Sequence, residues 1–298
     1  MADDSITAPV PRQSAFLSAE PTSDAHIVDL LIEERCPSFS GHWTWPVVRP
    51  VLYNMLGYDK ARRMADDLSR MSGEDSFNFL AKALDFRITT QNLGRLPKTG
   101  RTVVIANHPT GLADGVAVWE ALTAVRRDVV FFANADAMRV NPRFGDVVIP
   151  VEWVMEKRSP AKTRETLRLA GQAFAEEKCV VIFPSGKLAK MMDGKLTEQE
   201  WFSTAVGLAR KQKAPVVPLN VEARNSKLFY ALSRLNGELR DITLFHELLN
   251  KKRSSFEMKF GPVIAPETFK GDAVELTSKL RHHIAETLRD APDADFRP

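Results

Sequence analysis

From about residue 100 onward, short apolar runs alternate with longer amphipathic segments, and nothing else in the chain limits its fold so strongly. The runs are Thr102–Ala106, Val129–Ala133, Val147–Val151, Cys179–Phe183, Pro215–Val221 and Phe256–Val263. Between them, apolar spacing predicts helices near 114–126, 160–177, 203–213 and 272–290. In the 160–177 segment Ser159 is a candidate N-cap, Pro160 suits the first helical position, and Leu167, Ala170 and Phe174 share one face. Strand–helix alternation predicts an α/β fold with a mostly parallel mixed sheet flanked by helices. Pro218 marks its strand as an edge or an irregular one. In such sheets ligands bind beyond the carboxyl ends of the strands.

The sequence divides into three parts. Residues 1–25 are Pro/Ser-rich and lack an apolar run, which reads as a disordered arm and not as a secretory signal. Residues 26–92 read as a helical region, and 93–298 as the α/β domain. Within the helical region, "HWTWPVVRPVLY" offers Trp43, Trp45, Arg49 and Tyr53 as a membrane-interface patch. Aromatic side chains favour the headgroup level, and an arginine meets acidic lipids. No stretch approaches the ~20 apolar residues of a membrane-spanning helix, so any membrane contact is expected to be peripheral.

A net charge of +3 is too mild for a nucleic-acid partner and leaves a weak bias toward anionic groups. Two cysteines, Cys36 and Cys179, make no metal-ligand spacing and no disulfide framework, so a reducing cytoplasm is the default and no metal is expected. Cys179 lies inside an apolar run and reads as buried, whereas Cys36 reads as a loop residue. His42, His246, His282 and His283 have no partnered spacing and read as surface or helix residues.

Chemistry concentrates at two strand exits. The first is "TVVIANHPTGLADG", Thr102–Gly115. Pro109 keeps His108 out of the α conformation, Gly111 permits a tight turn, and Asp114 falls in the first turn of the next helix. The turn can fold the histidine back onto the carboxylate, which then orients the ring and leaves its other nitrogen as a base. A surface histidine beside a helix-capping aspartate fits the same residues equally well. The second exit is "VVIFPSGK", where the turn at Ser185, Gly186 and Lys187 can cradle an anion with its N–H groups and a lysine. It lacks the residues of a nucleotide P-loop. Among the basic residues of 157–168, Arg158 stands out, just before the helix cap, as a candidate phosphate ligand.

In order and spacing these pieces resemble the glycerophospholipid acyltransferase superfamily, which includes the 1-acylglycerol-3-phosphate acyltransferases. Asn107, His108 and Asp114 resemble its first motif, Arg158 the arginine of its second, Phe183-Pro184-Ser185-Gly186 its third, and Val217-Pro218 its fourth. Two departures, five residues between His108 and Asp114 and Ser185 in place of Glu, resemble a bacterial hemolysin-like branch that contains ornithine-lipid acyltransferases. The segment Phe229–Lys252 also resembles that branch. The resemblance implies transfer of a fatty acyl group from acyl-carrier protein or coenzyme A to a hydroxyl of a lysophospholipid or glycerolipid, without a further cofactor. His108 is then the base and Asp114 its orienter. Asn107, Gly111, Arg158, Phe183, Pro184, Ser185, Gly186 and Lys187 are the expected substrate-binding residues. The implied place is the inner face of the cytoplasmic membrane. A lyso-ornithine-type acceptor, a hydrolase, or a non-catalytic lipid-binding protein with a decayed site are the alternatives.

Overall fold

A computed structural model describes residues 15–16, 25–153, 155–192 and 194–298. Among the described residues nine strands run in chain order as β1 (Arg87–Gln91), β2 (Thr102–Ala106), β3 (Val129–Asn134), β4 (Val148–Val151), β5 (Cys179–Ile182), β6 (Lys190–Met192), β7 (Lys195–Thr197), β8 (Val216–Glu222) and β9 (Ser255–Phe260). Seven of them form one sheet in the order β1-β9-β8-β2-β5-β3-β4, and β6 and β7 form a separate antiparallel hairpin. Every pairing in the large sheet is parallel except β8 with β9. The carboxyl ends of β2, β3, β4, β5 and β8 therefore share one edge of the sheet.

Helices cover both faces, which is why these strands read as continuous apolar runs. Along β2, Val104 and Ala106 join the core on one face, with Val181, Phe131 and Trp119. Val103 and Ile105 join the core on the other, with Val180, Ile182 and Phe174. All five residues of β2 are buried. At roughly 1.5–3 kcal/mol for each fully buried large aliphatic side chain, Val103, Val104 and Ile105 bind this strand firmly into the sheet.

Several expectations change. Arg87–Gln91 is strand, not helix, and pairs with β9, so the sheet begins before residue 93. Its half-exposed alternation carries too few apolar residues to show as a run. Pro218 is not on an edge, because β8 lies between β2 and β9. The strand is irregular instead. Leu219 stands opposite Phe260 and Val216 opposite Ile264, so three steps on β8 face four on the returning chain. That extra residue is a bulge, where a missing N–H costs no ladder bond. Leu167 is half exposed, while Ala170 and Phe174 are fully buried as expected. Cys36 is also fully buried, and its thiol donates to the Ile32 carbonyl at 3.2 Å. His283 is buried rather than exposed. Most of the 1–25 arm lies outside the described residues; within it, Phe16 is buried, with the Lys162 ammonium 5.9 Å from its ring centre.

The region before the sheet is built from the helices Ile27–Glu33, Pro37–Ser40, Trp45–Leu56, Tyr58–Leu68 and Gly73–Leu84. Here the expected membrane patch divides. Trp45 and Tyr53 are buried among Val28, Ile32 and Ala61. The Trp45 indole donates to Glu33 at 3.1 Å, and Arg49 pairs with that same carboxylate at 3.2 Å. These three residues, four apart, form one row of the helix. Trp43, 83% exposed, and Arg49, with its side chain 45% exposed, face solvent together with Val47, Val48, Val51 and Met55. None of the described helices is long and apolar enough to cross a membrane.

Candidate active site

β2 delivers Asn107 and His108 to the carboxyl edge of the sheet. Ile105 pairs with Ile182 on β5, so the next residues of the two exits, including His108 and Phe183, emerge side by side. The Phe183 ring stacks on the imidazole, with centroids 4.3 Å apart and planes 24° apart. Phe183 thus sets the plane of the ring.

The Leu112–Thr123 helix supplies the carboxylate. Asp114 is its third residue and is fully buried. Its Oδ2 accepts the backbone N–H groups of Thr110 (2.8 Å) and Gly111 (2.9 Å), and its Oδ1 accepts the Thr110 hydroxyl. A carboxylate reaching back from the third position to the N-cap N–H is half of a capping box. These three donors fix the group. Its Oδ2 lies 3.0 Å from Nδ1 of His108. The approach angle is too poor for a well-formed hydrogen bond, and Nδ1 has no other partner. Such bonds commonly tighten only when substrate is bound. Gly111 makes the fold-back possible: its φ is +86°, and a Cβ there would come within 2.9 Å of Leu188.

Other expected site residues turn inward. The side-chain amide of Asn107 donates to the Val221 carbonyl (2.8 Å) and accepts the Val221 N–H (2.7 Å). It extends the β2–β8 pairing and so braces the base from behind. The turn after β5 closes on itself. Gly186 N–H donates to the Phe183 carbonyl at 3.1 Å, the Ser185 hydroxyl to the Lys187 carbonyl at 2.7 Å, and Lys187 N–H to the Ser185 hydroxyl oxygen at 3.4 Å. Two of the N–H groups expected to cradle an anion, those of Gly186 and Lys187, are thus occupied. The Lys187 ammonium remains exposed and has no ion-pair partner among the described residues. Gly186, with φ +57°, lies so close to Trp153 that a Cβ would approach its ring to 2.2 Å.

Arg158 lies seven residues beyond the end of β4, which stands three strands from β2 in the sheet order. It is exposed, and its Nε donates to the Glu152 carbonyl at 3.0 Å. It does not join His108; it stands on the rim of a cleft of about 230 Å³ whose walls include Phe132, Trp153, Leu167, Pro184 and Phe202. A second cleft, of about 730 Å³, opens on the β8 side and touches Asn107 and Pro109. Among the described residues no group of His, Cys, Asp and Glu could hold a metal ion.

Thr110, Phe183 as a stacking partner, and Glu198 are roles the sequence did not reveal. Glu198 is buried, accepts the His108 backbone N–H at 3.2 Å and the Trp201 indole at 3.0 Å, and burial pushes its carboxyl above the usual range. Thr110 carried a faint signal, as a hydroxyl four residues before an acidic residue at a helix start.

An imidazole thus stands beside a buried carboxylate at the carboxyl edge of the sheet. Residues 87–222 match the Acyltransferase family model. The chain is 24% identical to a lyso-glycine lipid O-acyltransferase of Phocaeicola vulgatus over 73% of this chain and 78% of that protein. It is 23% identical to a protein of the same name from Bacteroides thetaiotaomicron, over 66% and 73%. A solved structure, the 1-acyl-sn-glycerophosphate (LPA) acyltransferase PlsC of Thermotoga maritima, superposes with a TM-score of 0.47 at 14% identity, covering 89% of this chain and 98% of that one. The Acyltransferase model and the two relatives together support an O-acyltransferase of the glycerophospholipid acyltransferase superfamily.

Proposed function

We propose that this enzyme moves a fatty acyl group from an acyl thioester, on acyl-carrier protein or coenzyme A, to the hydroxyl of a lyso-lipid with an amino-acid head group. The observation that carries this reading is the pairing of His108 with Asp114 at 3.0 Å, at the exit of a fully buried strand. His108 takes the proton from the acceptor hydroxyl. The oxygen attacks the thioester carbonyl, a C–O bond forms, the C–S bond breaks, and the proton passes to the leaving thiolate. Asp114 holds the tautomer and faces the imidazolium that forms. The activated thioester makes a covalent enzyme intermediate unnecessary. The apolar cleft by Pro184 and Trp153 suits the acyl chain, with Arg158 at its mouth for an anionic group of the donor.

The acceptor class is inferred from the two relatives, whose names specify a lyso-glycine lipid. Ser185, standing where the common motif has Glu, is consistent with an acceptor other than a glycerol phosphate. The outward row of Trp43, Val47, Val51 and Met55 is the surface proposed to meet the bilayer. The test is acyl transfer in detergent micelles with acyl-carrier protein or acyl-coenzyme A, each offered with lyso-glycine lipid, lyso-ornithine lipid and lysophosphatidate. The expected product is the acylated amino-acid lipid. Product from lysophosphatidate alone would overturn the acceptor assignment.

A further inference from the structure

Glu198 follows β7, on the segment leading to the Thr204–Gln212 helix, and is 5% exposed. A carboxylate is seldom buried this deeply unless its neighbours require it. Its oxygens take the His108 backbone N–H and the Trp201 indole N–H, and the Ser185 hydroxyl lies against it. Its own carbonyl accepts Arg281 at 3.0 Å, which pins the segment to the Ala273–His282 helix.

The backbone around the histidine has few anchors. Pro109 offers no N–H. The His108 carbonyl accepts the N–H of Ala189 at 3.1 Å, and the His108 N–H goes to Glu198. Ala189 directly precedes β6 and Glu198 directly follows β7, so the hairpin grips the histidine's main chain from both ends. Phe183 and Asp114 orient the imidazole ring, and Asp114 also holds the N–H groups of Thr110 and Gly111, but neither one bonds the main chain of His108 itself.

We propose that Glu198 is a positioning residue for acyl transfer: with the β6–β7 hairpin it fixes the backbone of His108, and so the point from which the base reaches the acceptor hydroxyl. This rests on the reading of His108 as the general base. A misplacement of about 1 Å in a reacting group can cost on the order of 10²-fold in rate. The effect should fall on turnover, because Glu198 bonds the backbone that carries the base.

The experiment measures kcat and acceptor KM separately for the full chain, using the donor and acceptor that support turnover, with thermal melts to verify folding. Glu198→Ala should lower kcat by about 10- to 100-fold, with KM changed by no more than about threefold. Glu198→Gln should recover to within about fivefold of wild type, because its amide oxygen still accepts the His108 N–H. Glu198→Asp keeps the charge but withdraws it by one methylene, and guards against an alanine variant that does not fold; its kcat should fall at least about fivefold. Wild-type kcat in folded Glu198→Ala or Glu198→Asp would overturn the proposal, as would a loss confined to KM. His108→Ala, run alongside, separates the two ideas: full activity there removes the general-base reading itself, whereas an inactive His108→Ala beside unimpaired Glu198 variants removes only this inference.

Discussion

The ring of Phe183 lies over the imidazole of His108 at 4.3 Å, so the imidazole and its platform come from the exits of two adjacent parallel strands. The stack holds the imidazole in the plane in which Nδ1 meets Asp114. Phe183→Leu keeps the apolar bulk and loses the flat face. Its kcat should fall about tenfold, with acceptor KM little changed, as steady-state kinetics on the folded variant would show.

Asp114→Asn should be severe. In a serine-protease triad the same exchange costs about 10⁴ in kcat by favouring the wrong tautomer. Here the new NH₂ also faces the Thr110 and Gly111 donors, so stability should fall by about 1–3 kcal/mol as well. Denaturant unfolding and initial rates on one preparation read both effects.

Gly186→Ala tests the turn after β5. A φ of +57° and a Cβ 2.2 Å from Trp153 mean that the ring must move or the turn must open. A loss of about 1–3 kcal/mol in stability and a changed Trp153 fluorescence are expected. Unaltered fluorescence and stability would show that the turn accommodates a side chain.

Acid should loosen the docking of the N-terminal helices. Glu34 bonds Arg139 at 2.7 Å and Lys157 at 2.7 Å. The Arg139 hydrogen bond, with help from Lys157 and against partial burial, lowers its carboxyl to about 2 from an ordinary 4.5. A depressed folded-state value means that the stabilisation is fully present above about 4.5 and is lost as the pH falls through about 2. Wild type should therefore lose its advantage over Glu34→Gln across that window, in thermal melts taken at a series of pH values.

The proposed membrane contact lies on the outward row of the Trp45–Leu56 helix. Val47→Ser, Val51→Ser and Met55→Ser combined should weaken binding to acidic liposomes at least about tenfold, given roughly 1.5–3 kcal/mol per buried apolar side chain. Trp45→Ala should instead destabilise the helical region, because that ring is buried. Equal liposome binding by the folded triple variant would remove the surface assignment.

The sheet and the His108–Asp114 pair were legible because their signals are local: runs of period-free apolar residues, and one short loop between a strand and a helix. Glu198 was not, since it stands 90 residues from the backbone it holds and no spacing links them. The aromatic stretch announced itself by composition but concealed its orientation. Trp45, Arg49 and Tyr53 form one row at four-residue spacing, and Val47, Val51 and Met55 form the opposite one. Glu33, which bonds both Trp45 and Arg49, ties the first row to the Ile27–Glu33 helix. Pro218 pointed to irregularity correctly but to an edge wrongly, because a bulge spares a ladder bond in the middle of a sheet as well.

The most direct test of the account is acyl transfer by folded His108→Ala, with wild type in the same micelles, donor and acceptor. Loss of a general base predicts a fall of about 10²–10⁴ in rate with substrate binding largely kept. A rate equal to wild type would mean that the proton leaves the acceptor hydroxyl by another route, and that the His108–Asp114 pair serves the fold and not the chemistry.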